Sequence, residues 1–286
     1  MKKVEEIADI IELQTWATGR PASLSALLEQ LESALDDKDG LDAEMVAQNV
    51  LDEFLNRQRL LEGIEGAYPF RTDGSKLELN HAEPTTTTYL FCLGLSLLPA
   101  SEIENEQRCV QFETVAMEAA KNFFGGQALR IGAPWKSDHV PDYATLLDKV
   151  VELIPNLGEK LKTEAPNGGD AGWDVLIVKN FRDDQFPRFV ALGNCATGRT
   201  DWKRKGMETQ PTLFWSYFQS EHRSVFITFF AVPFPMDENA RLRKLSQTSL
   251  TLDRFRICEH APTTPVAGTA EWLEQQREHA AQLPLN

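Results

Sequence analysis

The sequence predicts an α/β (α+β) protein, a mixed sheet flanked by helices and preceded by a mainly helical N-terminal module. Three observations predict it. Apolar residues recur at helical spacing through most of the first hundred positions. Three apolar runs rich in β-branched and aromatic residues, 173–178, 188–194 and 224–232, lie further on, with helical patterns before and after them. The charge is also divided. Residues 1–105 carry 8 Lys+Arg against 20 Asp+Glu, a net −12, whereas residues 106–286 carry 21 against 23, a net −2.

The N-terminal elements follow in order. Val4, Ile7, Ile10 and Ile11 mark a short amphipathic helix. Leu24, Leu27, Leu28, Leu31 and Leu35 form a second stripe, with Pro21 suited to that helix's first turn. Asp42 can cap a third helix carrying Val46, Val50 and Phe54. Tyr68 to Phe70 and Leu77 to Leu79 read as a hairpin around Asp73-Gly74, which makes the module winged-helix-like in outline. Thr88 to Leu98 reads as a buried helix stopped by Pro99. Residues 99–105 read as a linker, which sets the expected domains at 1–105 and 106–286.

In the second part, 110–124 and 143–157 read as helices, the first ended by Gly125-Gly126. The runs 173–178 and 188–194, separated by a short turn, should pair as antiparallel neighbours, with 224–232 in the same sheet. Residues 213–218 read as an aromatic-rich helical turn and 271–281 as a terminal helix.

Composition excludes several classes. A hydrophobic fraction of 42% is enough for a sizeable core, so disorder is not the main state. The longest mostly apolar run, Tyr89 to Leu98, is about half of the roughly 20 residues that cross a bilayer, and no membrane contact is expected. No apolar signal segment follows the Met1-Lys2-Lys3 start, and none of the four cysteines forms a CxxC pair. These features point to a reducing, cytoplasmic setting. A net charge of −14 argues against a generic nucleic-acid coat. The stretch 179–205, with seven basic and three acidic residues, is locally basic. It could meet phosphate where the acidic module could not, and that module is expected to bind a protein partner or its own copy.

Two carboxylates stand out. Asp174 opens an apolar strand, a rigid position that suits a divalent cation, although it could instead cap a turn or pair with Lys179 or Arg199. Glu113 shares its helical face with Ala116, Met117, Ala120 and Phe124, so its charge needs a metal or a cationic partner. Asn194 ends the neighbouring strand and can be placed beside Asp174 at one sheet edge. Asp170 lies in a Gly-rich turn where Asp is common anyway.

A helix bearing Glu, then a Gly-x-Asp strand, then a strand ending in a short polar motif resembles the plan of the PD-(D/E)XK (restriction-endonuclease-like) nuclease superfamily. The resemblance covers about residues 108–205 and is nearest to bacterial proteins with a Gln-Cys-x-x-Gly-like strand end followed by Trp-x-x-Lys. It implies that Glu113 and Asp174 hold Mg²⁺ (or Mn²⁺) and that Asn194 stands where Glu or Gln is usual. It further implies phosphodiester hydrolysis of DNA by the C-terminal domain, in a bacterial antiviral defence setting. The usual motif Lys is absent, since the tripeptide reads Asn194-Cys195-Ala196. A displaced ammonium would come from Lys205, or second from Lys203, unless these form only a solvated basic face. Lys179, Arg199, Lys203 and Arg204 would contact phosphate. The rival expectation is an inactive nuclease fold that binds DNA or a partner chain.

Overall fold

The computed structural model describes residues 3–34, 42–80, 87–99, 102–135, 140–165, 172–183, 188–198, 202, 211–219, 226–237, 239 and 250–285. The chain forms two compact units, Met1–Pro99 with Thr263–Asn286, and Ala100–Pro262.

The first unit begins with α1 (Val4–Thr18), β1 (Ala22–Ser23), α2 (Leu24–Ala34) and α3 (Ala43–Leu60). Pro21 precedes the short β1 rather than opening the helix. Asp42 caps α3 as its side chain accepts from the Glu44 N–H. β2 (Phe70–Thr72) and β3 (Lys76–Leu79) pair antiparallel, and β1 joins β3 to make a three-stranded sheet. Gly74 makes their turn at φ +88°, where a side chain would be strained. α4 (Thr88–Leu97) is buried from Thr88 to Leu95, as its nearly unbroken apolar sequence requires.

The second unit is mixed α/β. α5 (Glu102–Phe124) starts inside the stretch expected to be a linker. β4 (Gln127–Arg130) and α6 (Tyr143–Leu153) follow, with Asp142 capping α6 through the Thr145 N–H. Next come β5 (Val175–Lys179), β6 (Phe189–Cys195), α7 (Pro211–Trp215), β7 (Phe226–Ala231), β8 (Leu250–Leu252) and α8 (Arg254–His260). The sheet order is β4-β5-β6-β7-β8. β4, β5 and β6 are antiparallel neighbours, while β7 and β8 run parallel to β6. β5 and β6 therefore pair as expected, with Val175 opposite Gly193, and β7 lies in the same sheet.

Leu176, Val178, Val190 and Leu192 join Leu146, Leu147 and Val150 of α6 and the 214–218 aromatics in one core. Those aromatics are thus structural. α5 runs along β4, β5 and β6. Its last residue, Phe124, has its ring 5.5 Å from Phe189 and 5.9 Å from Phe229.

The chain then returns to the first unit. α9 (Thr269–Gln275) and α10 (Arg277–Ala281) replace the single terminal helix expected for 271–281, and they do not belong to the α/β unit. The expected 106–286 domain is corrected at this end. The reason is burial: Trp272 and Leu273 of α9 pack on α4, with the Trp272 and Phe91 rings edge-to-face at 5.7 Å. α10 lies along α1, and the Arg277 guanidinium sits 4.4 Å from the Trp16 ring.

A buried ion network organises the first unit. Arg57, fully buried, donates from Nη1 to Asp9 Oδ1 and Glu12 Oε2, both at 2.8 Å, and from Nε to Glu53 Oε1 at 2.8 Å. Tyr68 and Tyr89 donate to the two Glu12 oxygens at 2.7 and 2.8 Å. Burial opposes the charge on Arg57, but Glu12, Tyr89, Asp9 and Glu53 outweigh it and hold the guanidinium well above its ordinary value. Burial, then the negative Glu12, pushes the Tyr68 hydroxyl well above the usual tyrosine range.

Arg57→Met should therefore destabilise this unit by about 3–5 kcal/mol, because it leaves buried carboxylates uncompensated. Hydrogen exchange of the α1 amides reads this unit alone, and unchanged protection there would contradict the assignment. A second outcome concerns pH. A group whose folded pKa is raised contributes its stability fully below the unfolded value, and that stability is lost as pH rises. The α1 protection should decline above pH ~10, by up to about 1.4 kcal/mol per unit, until Tyr68 itself ionises. Tyr68→Phe should flatten that decline.

Candidate functional site

Glu113 lies midway along α5, among the buried Phe112, Val115, Ala116 and Ala120, and is itself only 7% exposed. The cationic partner that such a position demands is Arg130, the last residue of β4. Its Nη1 donates to Glu113 Oε2 at 2.6 Å and to the Gly132 carbonyl at 2.8 Å, while its Nη2 donates to the Pro134 carbonyl. Arg130 is buried as well.

Asp174 immediately precedes β5. Its Oδ2 accepts from the Cys195 N–H at 2.6 Å. Its carbonyl accepts from the N–H groups of Ile131 and Gly132 at 2.8 and 3.1 Å. The chain leaving β4, the chain entering β5 and the last residue of β6 are thereby held together.

Gly132 is where the two carboxylates meet. A Cβ placed on it would stand 2.7 Å from Glu113 Oε2 and 3.0 Å from Asp174 Oδ1. Both oxygens therefore lie close against this residue, and glycine leaves room for them. Of the groups expected to converge on one cleft, Glu113, Asp174, Asn194 and Lys205 or Lys203, the two carboxylates approach each other here. Neither Arg130 nor Gly132 was singled out by sequence reasoning. Arg130 is a lone basic residue in a four-residue strand, and Gly132 in Gly-Ala-Pro reads as an ordinary turn.

Asn194 is at the same strand end, but its role differs from the expected one. Its Nδ2 donates to the Gly172 carbonyl at 2.8 Å, which braces the segment leading into Asp174. Among the described residues it hydrogen-bonds neither carboxylate, and its buried Oδ1 has no partner. Lys179 is at the wrong end of β5 for a phosphate contact at this site. It lies roughly 17 Å from Asp174 at about 3.3 Å per strand residue. Its Nζ donates to the Phe124 carbonyl at 3.2 Å, where a cation suits the C-terminus of α5. Arg188 is buried at that same end, next to Phe189, the partner of Lys179. Asp170, Arg199, Lys203, Arg204 and Lys205 lie outside the described residues.

Among the described residues, no three His, Cys, Asp or Glu side chains form a metal-binding group. The pair at Gly132 still fits a divalent cation. Its donors are hard carboxylate oxygens, as Mg²⁺ and Mn²⁺ prefer, and both lie close to Gly132 with no Cβ between them. None of the four cysteines is in a disulfide. No described helix is long and apolar enough to cross a membrane.

No protein-family model, no curated protein and no solved structure matches this chain.

Gly132→Ala tests whether the carboxylates act together. The added methyl must displace the Glu113 carboxylate from Arg130, so Mn²⁺ affinity, read by electron paramagnetic resonance titration, should fall about 10–100-fold. Far-UV circular dichroism should stay unchanged. Undiminished Mn²⁺ uptake would show that the two carboxylates do not share a ligand.

Proposed function

We propose that the Ala100–Pro262 unit is a divalent-cation-dependent nuclease of the PD-(D/E)XK type, hydrolysing DNA phosphodiester bonds in the bacterial cytoplasm as part of antiviral defence. The observation that carries this reading is the meeting of the Glu113 and Asp174 carboxylates at Gly132, one from a helix and one from a strand. A mixed sheet flanked by helices, with Asp174 entering a strand beside the one that ends in Asn194 and Cys195, supports it.

Glu113 and Asp174 would hold the cation, which when bound supplies an activated water and charge relief on the phosphate. The other steps belong to the chain itself. The Cys195 N–H holds Asp174 Oδ2 and so sets the direction of Oδ1. Asn194 braces the approach to Asp174. The ammonium that stabilises charge developing on the phosphate is assigned to Lys205, with Lys203 second. The acidic first unit is assigned a protein partner or a second copy of itself rather than DNA.

One observation favours a second reading. The Arg130 guanidinium, 2.6 Å from Glu113, already compensates the buried charge. A chain of this kind could keep the fold and bind DNA or a partner chain without cutting.

Supercoiled plasmid incubated with the full chain and Mg²⁺ or Mn²⁺ separates the two. The nuclease reading expects nicking that EDTA stops and that Asp174→Asn lowers at least 100-fold, a loss of about 2.7 kcal/mol of transition-state stabilisation. Asn is the better replacement than Ala. Asp174 is only 5% exposed rather than an open strand-end group, and Asn keeps an oxygen for the Cys195 N–H. DNA retained in a gel shift but cut with neither metal would establish the second reading.

A further inference from the structure

We infer that Arg130 is the positioning residue of this site, holding the Glu113 carboxylate in the orientation from which it can share a divalent cation with Asp174. The inference rests on the nuclease reading above and adds a residue to it.

A counter-ion needs only proximity, and Arg130 does more. Among the described residues its guanidinium has three acceptors, and two of them, the Gly132 and Pro134 carbonyls, belong to the turn against which the carboxylates meet. The planar fork therefore ties Glu113 Oε2 to the backbone of that turn and not merely to a positive charge. The same short segment makes the link to the second carboxylate, since the Ile131 and Gly132 N–H groups both donate to the Asp174 carbonyl. Register explains the arrangement. Arg130 is opposite Val175, so the residues after it leave the sheet beside Asp174. Residues 130–134 thus hold the Glu113 carboxylate through a side chain and the Asp174 main chain through two N–H groups.

A guanidinium beside a cation site also repels the cation. The two effects predict opposite signs when Arg130 is removed. A competitor, once gone, leaves Mn²⁺ bound more tightly. A positioning residue, once gone, frees the Glu113 side chain and leaves Mn²⁺ bound more weakly. The backbone carbonyls decide between them. Both effects vanish with the side chain, and the ties to the Gly132 and Pro134 carbonyls, which orient the fork as well as placing its charge, make the ordering of Glu113 the larger of the two.

The test uses the full chain and Mn²⁺ alone, read by the loss of the free-ion paramagnetic resonance signal. Arg130→Met should weaken binding about 10–100-fold, as loss of an outer partner of a metal ligand does. Arg130→Lys, which keeps the charge and loses the planar fork, should fall between Met and the unaltered chain. In a Glu113→Gln background, Arg130→Met should cost nothing further, because its effect runs through Glu113. On plasmid, kcat should fall with KM for DNA unchanged. Equal or tighter Mn²⁺ binding by Arg130→Met, with binding lost in Glu113→Gln, overturns the inference and leaves the site reading standing. Binding that Glu113→Gln and Asp174→Asn both leave intact overturns the site reading and the inference with it. Should circular dichroism show Arg130→Met unfolded, Arg130→Lys decides: weakened binding supports the inference, and unchanged binding overturns it.

Discussion

An ionised carboxylate in an apolar interior must be met by a counter-charge or by hydrogen-bond donors, and both units are arranged around that constraint. In the first, one guanidinium faces three acids, and two tyrosine hydroxyls donate one to each oxygen of Glu12. That network registers α1, α3 and α4. In the second unit the proportions differ. Among the described residues, Arg130 meets one acid and two backbone carbonyls, and a backbone N–H donates to the Asp174 carboxylate. The second brings two carboxylates close to a residue that has no Cβ.

The sheet makes that arrangement possible because α5 is tied to it at two places. Midway along the helix, Glu113 reaches Arg130 on β4. At its end, the Phe124 carbonyl takes the Lys179 ammonium from β5, and the Phe124 ring rests against Phe189 and Phe229. Gly193 permits the close packing beneath, since a Cβ there would stand 2.1 Å from the Phe229 ring. A helix pinned at both points cannot slide along the sheet without breaking one polar contact or the other. The position of Glu113 relative to Asp174 is therefore a property of the whole layer.

Much of this was legible in the sequence, and the exceptions share a cause. The β5–β6 pair could be read because both runs are apolar and the turn between them is short. Glu113 could be read because its helical neighbours are apolar, which implied a partner without naming it. Arg130 could not be read as that partner, because the pairing of β4 with β5 depends on a register across 44 residues of intervening chain. β4 and β8, four and three residues long, carry too little pattern to stand out. Lys179 counted toward a basic stretch in sequence, but a strand separates its ends in space, and one residue of a run can cap a helix while others lie elsewhere. The return of α9 and α10 was invisible for the same reason. Local periodicity shows that a face will be buried and says nothing of which distant element will bury it.

That return bears on how the chain is made. The first unit is begun before the α/β unit is synthesised, yet the cover of α4 is not complete until α9, some 180 positions later, supplies Trp272 and Leu273. Gly94 shows how close that late fit is, since a Cβ there would stand 2.9 Å from Leu273 Cδ1 and 3.1 Å from Trp272 Cζ3. The α/β unit lies wholly between the two halves and can complete its sheet while the first unit still waits. The nascent chain thus finishes in the reverse of the order in which it starts. For that interval Phe91 has no Trp272 ring against it, which makes the growing chain, rather than the finished protein, the species with an apolar helix to shield.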